Sequence, residues 1–267
     1  MTLKPTITKG NVIWRGDGNA PGTRVVAAEV PVAFVYDGGT EAVMMASPSD
    51  LEDFAVGFSL NDGVVGSAKE IAELAIVEVA RGIELRMTLT SRDRESLVAR
   101  RRHRAGPVGC GLCGVESIGE AVPALPRVVA DLAVAPSDII AAMQAMAPLQ
   151  VLNRETRAVH AAALFVLGEG VVAVREDVGR HNALDKLCGA LVRAGRKASD
   201  GVILMTSRIS VELVQKAARM GAPVLAAISA PTALALQEAE AAGVTLVGVV
   251  RDDGLEVFTH GARIHAR

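Results

Sequence analysis

The sequence predicts an α/β protein, α+β overall, with a parallel-sheet half at the C-terminus and a smaller mixed half before it. Three observations carry this. Between residues 201 and 250, short apolar runs alternate with helical spacings in the order β-α-β-α-β, as in a parallel sheet covered by helices. The first half instead pairs β-rich runs across turn residues, as hairpins do. The chain has 267 residues, 50% of them hydrophobic and 22% charged, enough to bury a core without disulfide or metal staples.

In order, Val30 to Tyr36 and Ala42 to Ala46 flank Asp37-Gly38-Gly39 and read as a hairpin. Ser49-Asp50-Leu51-Glu52 has the pattern of a capping box. Leu51, Phe54, Ala55 and Phe58 then recur at helical spacing, with Gly63 past the end. Leu74 to Leu89 forms a second hairpin turning at Arg81-Gly82. Arg94 to His103 reads as a basic helix or extended arm. Residues 104–114, RAGPVGCGLCG, hold four glycines and a proline, which a regular element does not tolerate, and are expected to form a mobile loop. Three prolines between Ala121 and Pro136 place the boundary near residue 130, giving domains 1–130 and 131–267.

Beyond it, Ser137 is expected to cap a helix bearing Ile139, Ile140, Met143 and Met146. Ala161 to Leu167 and Val171 to Arg175 flank Gly168-Glu169-Gly170 as a third hairpin. A helix from about Asn182 aligns Leu184, Leu187, Cys188 and Leu191. Strands follow at Gly201 to Thr206, Pro223 to Ser229 and Val244 to Val250. Helices at Val211 to Met220 and Thr232 to Ala242 separate them.

Composition narrows the function. Lys+Arg is 28 and Asp+Glu is 30, a formal net charge of −2, unlike a nucleic-acid coat protein. Aromatic residues make up 3%, too few for a base-stacking platform. Three cysteines make no disulfide framework, and the odd one is free, which fits a reducing compartment. The N-terminus has no apolar core of signal-peptide length. No uncharged apolar run reaches the roughly 18 residues needed to span a bilayer. The longest, Gly221 to Leu236, is broken by Pro223 and Pro231. A soluble cytoplasmic protein with no membrane or nucleic-acid partner is expected.

Ligands of open α/β sheets bind beyond the carboxyl ends of the strands. Those ends read Thr206-Ser207-Arg208-Ile209-Ser210, Ser229-Ala230-Pro231-Thr232 and Val249-Val250-Arg251-Asp252. Helices begin directly after the first two, so backbone N–H groups face the same place, which suits a phosphorylated ligand. Singly, each Ser or Thr is explained as a helix cap. No Walker loop or GxGxxG follows a strand, which argues against an NTP-driven motor or dinucleotide dehydrogenase.

Cys110-Gly111-Leu112-Cys113 allows several chemistries. Half a zinc site would need two more closely spaced ligands, and His103, His160 and His181 show no such spacing. A thioredoxin-type pair would lie near the βαβ region, which this one does not. Two structural thiols would not need glycines on both sides of each cysteine. Sulfur carriage remains, with a thiolate accepting sulfane sulfur as a persulfide. Upstream, Arg92, Arg94, Arg100, Arg101, Arg102 and Arg104 form either a solvated face or a field that lowers the cysteine pKa and attracts an anion. Residues 175–186, REDVGRHNALDK, place six charges and a histidine at a strand-to-helix junction, where His181 and Asp185 stand i,i+4 and could pair. Cys188 reads as a buried small hydrophobe.

PSDLEDFAVGFSL (48–60), GCGLCG (109–114), REDVGRHNALDK (175–186), TSRIS (206–210), ISAPTALA (228–235) and TLVGVVR (245–251) together resemble the formate dehydrogenase accessory sulfurtransferases, the FdhD family, from about residue 24 to 261. The combination of CGLCG with EDVGRHNALDK is the specific part.

The resemblance implies a cytoplasmic homodimer whose C-terminal domain is a cytidine-deaminase-like three-layer α/β domain. It implies transfer of sulfur from a pyridoxal-phosphate cysteine desulfurase to the molybdenum cofactor in its bis-molybdopterin-guanine-dinucleotide form, for formate dehydrogenase. Cys110 would carry the persulfide and Cys113 would assist. Val247, Gly248, Val249, Val250, Arg251 and Asp252 would bind the cofactor. Thr206, Ser207, Arg208, Ser229 and Thr232 join them from the strand-end reading. GDP-like nucleotides would mimic the cofactor, and the protein would need no metal of its own. A zinc deaminase needs H-x-E and a later P-C-x-x-C. Here His160-Ala161-Ala162 stands instead and the CxxC comes earlier, so deaminase chemistry is not expected. The competing functions are a non-catalytic cofactor chaperone and a dithiol oxidoreductase.

Overall fold

The structure, a computed structural model, describes residues 3–90 and 123–265. The expected basic segment Arg94 to His103, the loop 104–114 and both Cys110 and Cys113 lie outside the described residues.

Strands β1 (Thr6–Arg15) and β2 (Gly18–Ala27) form an antiparallel hairpin of their own. Its mostly exposed strands carry no core signal by which the sequence would predict it. The hairpin is mostly exposed, and the Arg24 guanidinium donates to the Thr156 carbonyl at 3.2 Å.

Strands β3 (Val30–Tyr36), β4 (Gly39–Ala46), β5 (Ile71–Val79) and β6 (Gly82–Leu89) form a four-stranded sheet in the order β4-β3-β6-β5, as two hairpins joined through a parallel β3–β6 pair. Helix α1 (Leu51–Asn61) covers one face. The Phe34 ring stacks on Phe58 at 3.9 Å between centroids and meets Phe54 edge-on at 4.9 Å. These rings are among the largest apolar surfaces of that core.

The capping box expected at α1 does not form. Asp50 is the N-cap residue at φ 51, with no side-chain cap bond, and the Ser49 N–H donates to the Ser47 carbonyl at 2.8 Å. The cause is tertiary. The Ser47 N–H donates to Asp177, its carbonyl accepts from Lys186 and its Oγ accepts from the Val178 N–H. The start of α1 is thus aimed by the other half of the molecule rather than by its own cap.

The C-terminal half is built on a six-stranded sheet in the order β12-β11-β10-β9-β7-β8. Strands β7 (His160–Val166) and β8 (Gly170–Asp177) are the third hairpin. Strands β9 (Val202–Met205), β10 (Val224–Ala227) and β11 (Thr245–Arg251) are parallel, as the alternating pattern requires. Strand β12 (Gly254–Val257) returns antiparallel to β11.

On one face lie α4 (Arg180–Arg193), α5 (Val211–Arg219) and α6 (Ala233–Ala242), packed on Leu164, Ile203, Leu225 and Leu246. On the other lies α2 (Pro136–Met146), packed on Phe165, Leu204 and Val247. Helix, sheet and helix make three layers. Short helix α3 (Val151–Thr156) precedes β7. Ala135 rather than Ser137 caps α2. Pro136 takes the first helical position, where its missing N–H costs nothing, and the Asp138 carboxylate accepts from the Ala135 N–H at 3.3 Å.

Helices α1 and α4 cross at two glycines. A Cβ on Gly57 would sit 1.7 Å from the Asp185 carbonyl oxygen, and one on Gly189 would sit 1.9 Å from that of Asp53. No side chain fits there. Around the crossing, Arg175 donates to Asp53 at 2.7 Å and Asn61 to Asp185 at 2.8 Å. Val128 lies in the core of the C-terminal half, its N–H donating to the Ala242 carbonyl at 2.7 Å. Among the described residues, no helix is long and apolar enough to cross a membrane.

Candidate functional site

The three parallel strands end side by side. Ile209 and Pro231 form a bridge, in which the Ile209 N–H donates to Ala230 at 3.4 Å and the Thr232 N–H to Ile209 at 3.0 Å. The Val249 N–H donates to the Ser229 carbonyl at 3.4 Å. Segments 206–210, 228–232 and 248–252 therefore lie side by side at the carboxyl ends of the parallel strands, with α5 and α6 starting directly after the first two.

Strand β11 is distorted where it reaches this region. Its register with β12 shifts between Gly248 and Arg251, and Val249 has φ 52. A β-branched residue in the left-handed region costs on the order of 1–3 kcal/mol. A Cβ on Gly248 would come within 2.9 Å of the Phe258 ring and 3.2 Å of the Ser229 carbonyl oxygen. The strand end is thus pressed against β10, and its bulge re-aims the residues that follow.

The predicted residues divide by role. Thr206 accepts from the Ala161 N–H at 2.8 Å, which ties β7 to β9. Ser207 is buried and donates to the Arg208 carbonyl at 3.0 Å, while Arg208 is exposed. Thr232 caps α6 through the Ala235 N–H at 3.4 Å. Ser229 is half-buried beside Gly248. Val247 and Val250 are buried against α2. The Arg251 guanidinium donates to the carbonyls of Ile228 and Val250, which fixes it across the ends of β10 and β11. Asp252 accepts from Gln144 on α2 at 2.9 Å, so its carboxylate is engaged away from β10.

The charged run 175–186 proves to be mostly internal wiring. Glu176 accepts from the N–H groups of Leu152 and Asn153, both at 2.8 Å, at the start of α3. Burial raises its pKa, and those two bonds oppose the rise. Asp177 and Lys186 form a fully buried ion pair at 2.7 Å. Asp177 also accepts from Gly179 and Asn182, and Lys186 lies 5.5 Å from the Phe54 ring centroid. The expected His181–Asp185 pair is not made. Asp185 instead takes Lys216 at 2.7 Å and Asn61 at 2.8 Å, buried partners from other elements that outweigh a weak helical pair.

His181 instead reaches the segment that follows β9. Its Nε2 lies 3.4 Å from Ser210 Oγ and 3.7 Å from Glu212 Oε2. Burial alone would raise the Glu212 pKa, but hydrogen bonds from His181 and Ser210 pull it down to about 2. His160, which pairs in register with Asp177, stands at the same edge. Its pKa is lowered by burial, by the Arg180 guanidinium and by His181. His160, Arg180 and Glu212 were not singled out as site residues from sequence. Only the antiparallel β7–β9 register, a non-local fact, brings His160 beside the end of β9.

Cys188 is buried at 5% exposure. Burial and the Asp185 carboxylate push its thiol up to about 12, against the opposing Lys216 charge, so it is inert. Among the described residues, no group of three or more His, Cys, Asp or Glu side chains is placed to hold a metal ion.

The fold is that of a three-layer α/β protein whose three parallel strands end side by side. The chain belongs to the FdhD/NarQ family, whose model matches residues 27–265. It is 57% identical over 250 residues to the sulfur carrier protein FdhD of Agrobacterium fabrum, covering 92% of this chain and 91% of that one. It is 51% identical over 251 residues to the protein of the same name from Brucella abortus, covering 94% and 93%. The fold matches the crystal structure of a chain described as a formate dehydrogenase accessory protein from Desulfotalea psychrophila. The TM-score is 0.75 at 25% identity, over 97% of this chain and 99% of that one.

Proposed function

We propose that this protein is a sulfur carrier for formate dehydrogenase. It takes sulfur from a cysteine desulfurase as a persulfide on Cys110 and passes it to the molybdenum cofactor, the bis-molybdopterin guanine dinucleotide. The named relatives support the sulfur-carrier role. The observation that carries the acceptor half of the reading is that the three parallel strands end side by side, with two helix starts and the bulged end of β11 at one place, an arrangement suited to a phosphorylated ligand. GDP and related nucleotides are expected to bind there as mimics of the cofactor. The protein acts as a cytoplasmic homodimer.

In the loading step the Cys110 thiolate attacks the terminal sulfur of the donor persulfide. The bond between that sulfur and the desulfurase cysteine breaks, and the donor leaves as a thiolate. Cys113 assists the later release. Cys188 takes no part, since its thiolate is inaccessible.

The competing reading is a chaperone that only holds the cofactor. It requires only the strand-end groups and neither thiol of the CxxC pair. Complementation separates the two. In cells lacking this protein, Cys110→Ala is expected to leave formate dehydrogenase inactive while the wild-type chain restores it. Full restoration by both Cys110→Ala and Cys113→Ala would establish the chaperone instead.

A further inference from the structure

Strands β1 and β2 form a ribbon with no core of their own. Most of their residues are exposed, and an isolated two-stranded hairpin is marginal in water unless something covers a face. The register divides its side chains. Thr8, Val12 and Trp14, with Pro21 and Val25 opposite, lie on one face. Lys9, Arg15 and Arg24, all the charged residues of the two strands, lie on the other. That second face is turned to α3 by the bond from Arg24 to the Thr156 carbonyl. The outward face is therefore uncharged. Near its tip Val12 is 61% and Trp14 67% exposed. Trp14 is the only tryptophan of the chain. An uncharged patch with a tryptophan on it has the composition of an interface centre rather than of a solvated surface.

The same chain carries a place for such a side chain. On the α2 side of the six-stranded sheet, α2 and the β7–β8 turn border a cavity of about 400 Å3, within the size range of small-ligand pockets. Ala141 and Ala145, one helical turn apart and both exposed, form one wall, and Phe165, Leu167 and Val171 the other. Asp138 is the one charged lining residue, and its carboxylate accepts from the Ala135 N–H at the start of α2. Glu169, in the turn itself, pairs with Arg196 at 2.9 Å. The cavity thus offers apolar contact and no free charge.

We propose that two copies of the chain meet through these features: each lays its β1–β2 arm on the other and seats Trp14 in the cavity between α2 and the β7–β8 turn. The area decides the arrangement. Ten-residue strands, about 3.4 Å per residue and about 4.8 Å apart, give the arm a face of about 340 Å2. Two arms packed only on each other would bury about 700 Å2 in total, the size of a lattice contact. Reciprocal exchange uses both arms and both receiving surfaces, about 1,400 Å2 in total, the size of a stable interface. A two-fold exchange also closes on itself, with both cavities filled and no arm left to recruit a third copy. The assignment rests on the reading of the protein as a homodimer and is independent of its sulfur chemistry.

The test uses the full chain under reducing conditions. Sedimentation velocity over a dilution series gives the dimer dissociation constant, and the emission of Trp14 reports its surroundings without a label. Wild type is compared with Trp14→Ala, Val12→Ser and Ala145→Lys, each checked by circular dichroism for an unchanged fold. All three positions are exposed, so none of the changes disturbs the core. The expected result is a wild-type dimer whose Trp14 emission moves to longer wavelength on dilution. Trp14→Ala and Ala145→Lys should each raise the dissociation constant at least about thirtyfold, and Val12→Ser by less. Trp14 in Ala145→Lys should emit as an exposed indole at every concentration. Wild-type dimerisation by both Trp14→Ala and Ala145→Lys would overturn the assignment while leaving a homodimer. A dimer of Ala145→Lys with Trp14 still shielded would show a different seat and overturn the assignment as well. A wild-type chain that stays monomeric throughout would overturn the assignment and the homodimer together.

Discussion

Substituting Gly189 by alanine tests the packing that joins the two halves of the molecule. An added Cβ would lie 1.9 Å from the Asp53 carbonyl oxygen and 2.7 Å from its carbon. Ordinary contact requires α1 to retreat by about 1.5 Å, because backbone cannot rotate out of the way. That retreat strains the Arg175–Asp53 bond at 2.7 Å and the Asn61–Asp185 bond at 2.8 Å. In the opposite direction, alanine gains about 1 kcal/mol of helix propensity over glycine. Overpacking costs about 1–3 kcal/mol, and more where buried polar bonds are stretched with it. The net loss should be about 2–4 kcal/mol, which for a chain of this size lowers Tm by about 5–15 °C. Differential scanning calorimetry reads it directly. Gly10→Ala serves as the control, since a Cβ there meets nothing within 4 Å. A Gly189→Ala melting temperature equal to or above that of wild type would show that α1 and α4 do not cross as described.

Other consequences follow from individual residues. Lys186→Met leaves Asp177 as an unpaired buried charge and should cost about 3–5 kcal/mol in urea unfolding. A loss under 1 kcal/mol would mean that the pair is not buried. Val249→Gly removes the strain at φ 52 and should leave stability equal or higher, where glycine elsewhere in a strand lowers it. A clear fall in Tm would contradict the bulge. Glu212 has its folded pKa held near 2, below the ordinary 4.5, so its contribution to stability is complete above pH 4.5 and is lost as pH falls toward 2. Glu212→Gln should flatten that part of the acid-unfolding profile, and an unchanged profile would refute the His181–Ser210–Glu212 cluster.

Periodicity made the three parallel strands and their helices legible, because each buries an apolar run whose length and spacing are set locally. It also located the strand ends at 206–210, 229–232 and 249–252. Local reasoning failed where tertiary partners won. The Ser49 cap gave way to the contacts of Ser47 with Asp177 and Lys186. The His181–Asp185 pair gave way to Lys216 and Asn61. Asp252 turned to Gln144 on α2. His160 was invisible as a neighbour of the strand ends because the β7–β9 register, not sequence spacing, brings it beside the end of β9. The run 175–186 looked like a chemical motif and is largely a set of buried ties.

Sulfur carriage itself is tested most directly by mapping persulfide. The full chain, Cys110→Ala and Cys113→Ala would each be incubated with a cysteine desulfurase and cysteine, then digested and analysed by mass spectrometry, with formate dehydrogenase activation assayed in parallel. The account predicts one added sulfur on Cys110, none on Cys188, and loss of both the added sulfur and activation in Cys110→Ala. No added sulfur on the wild-type chain, with full activation by both variants, would contradict it.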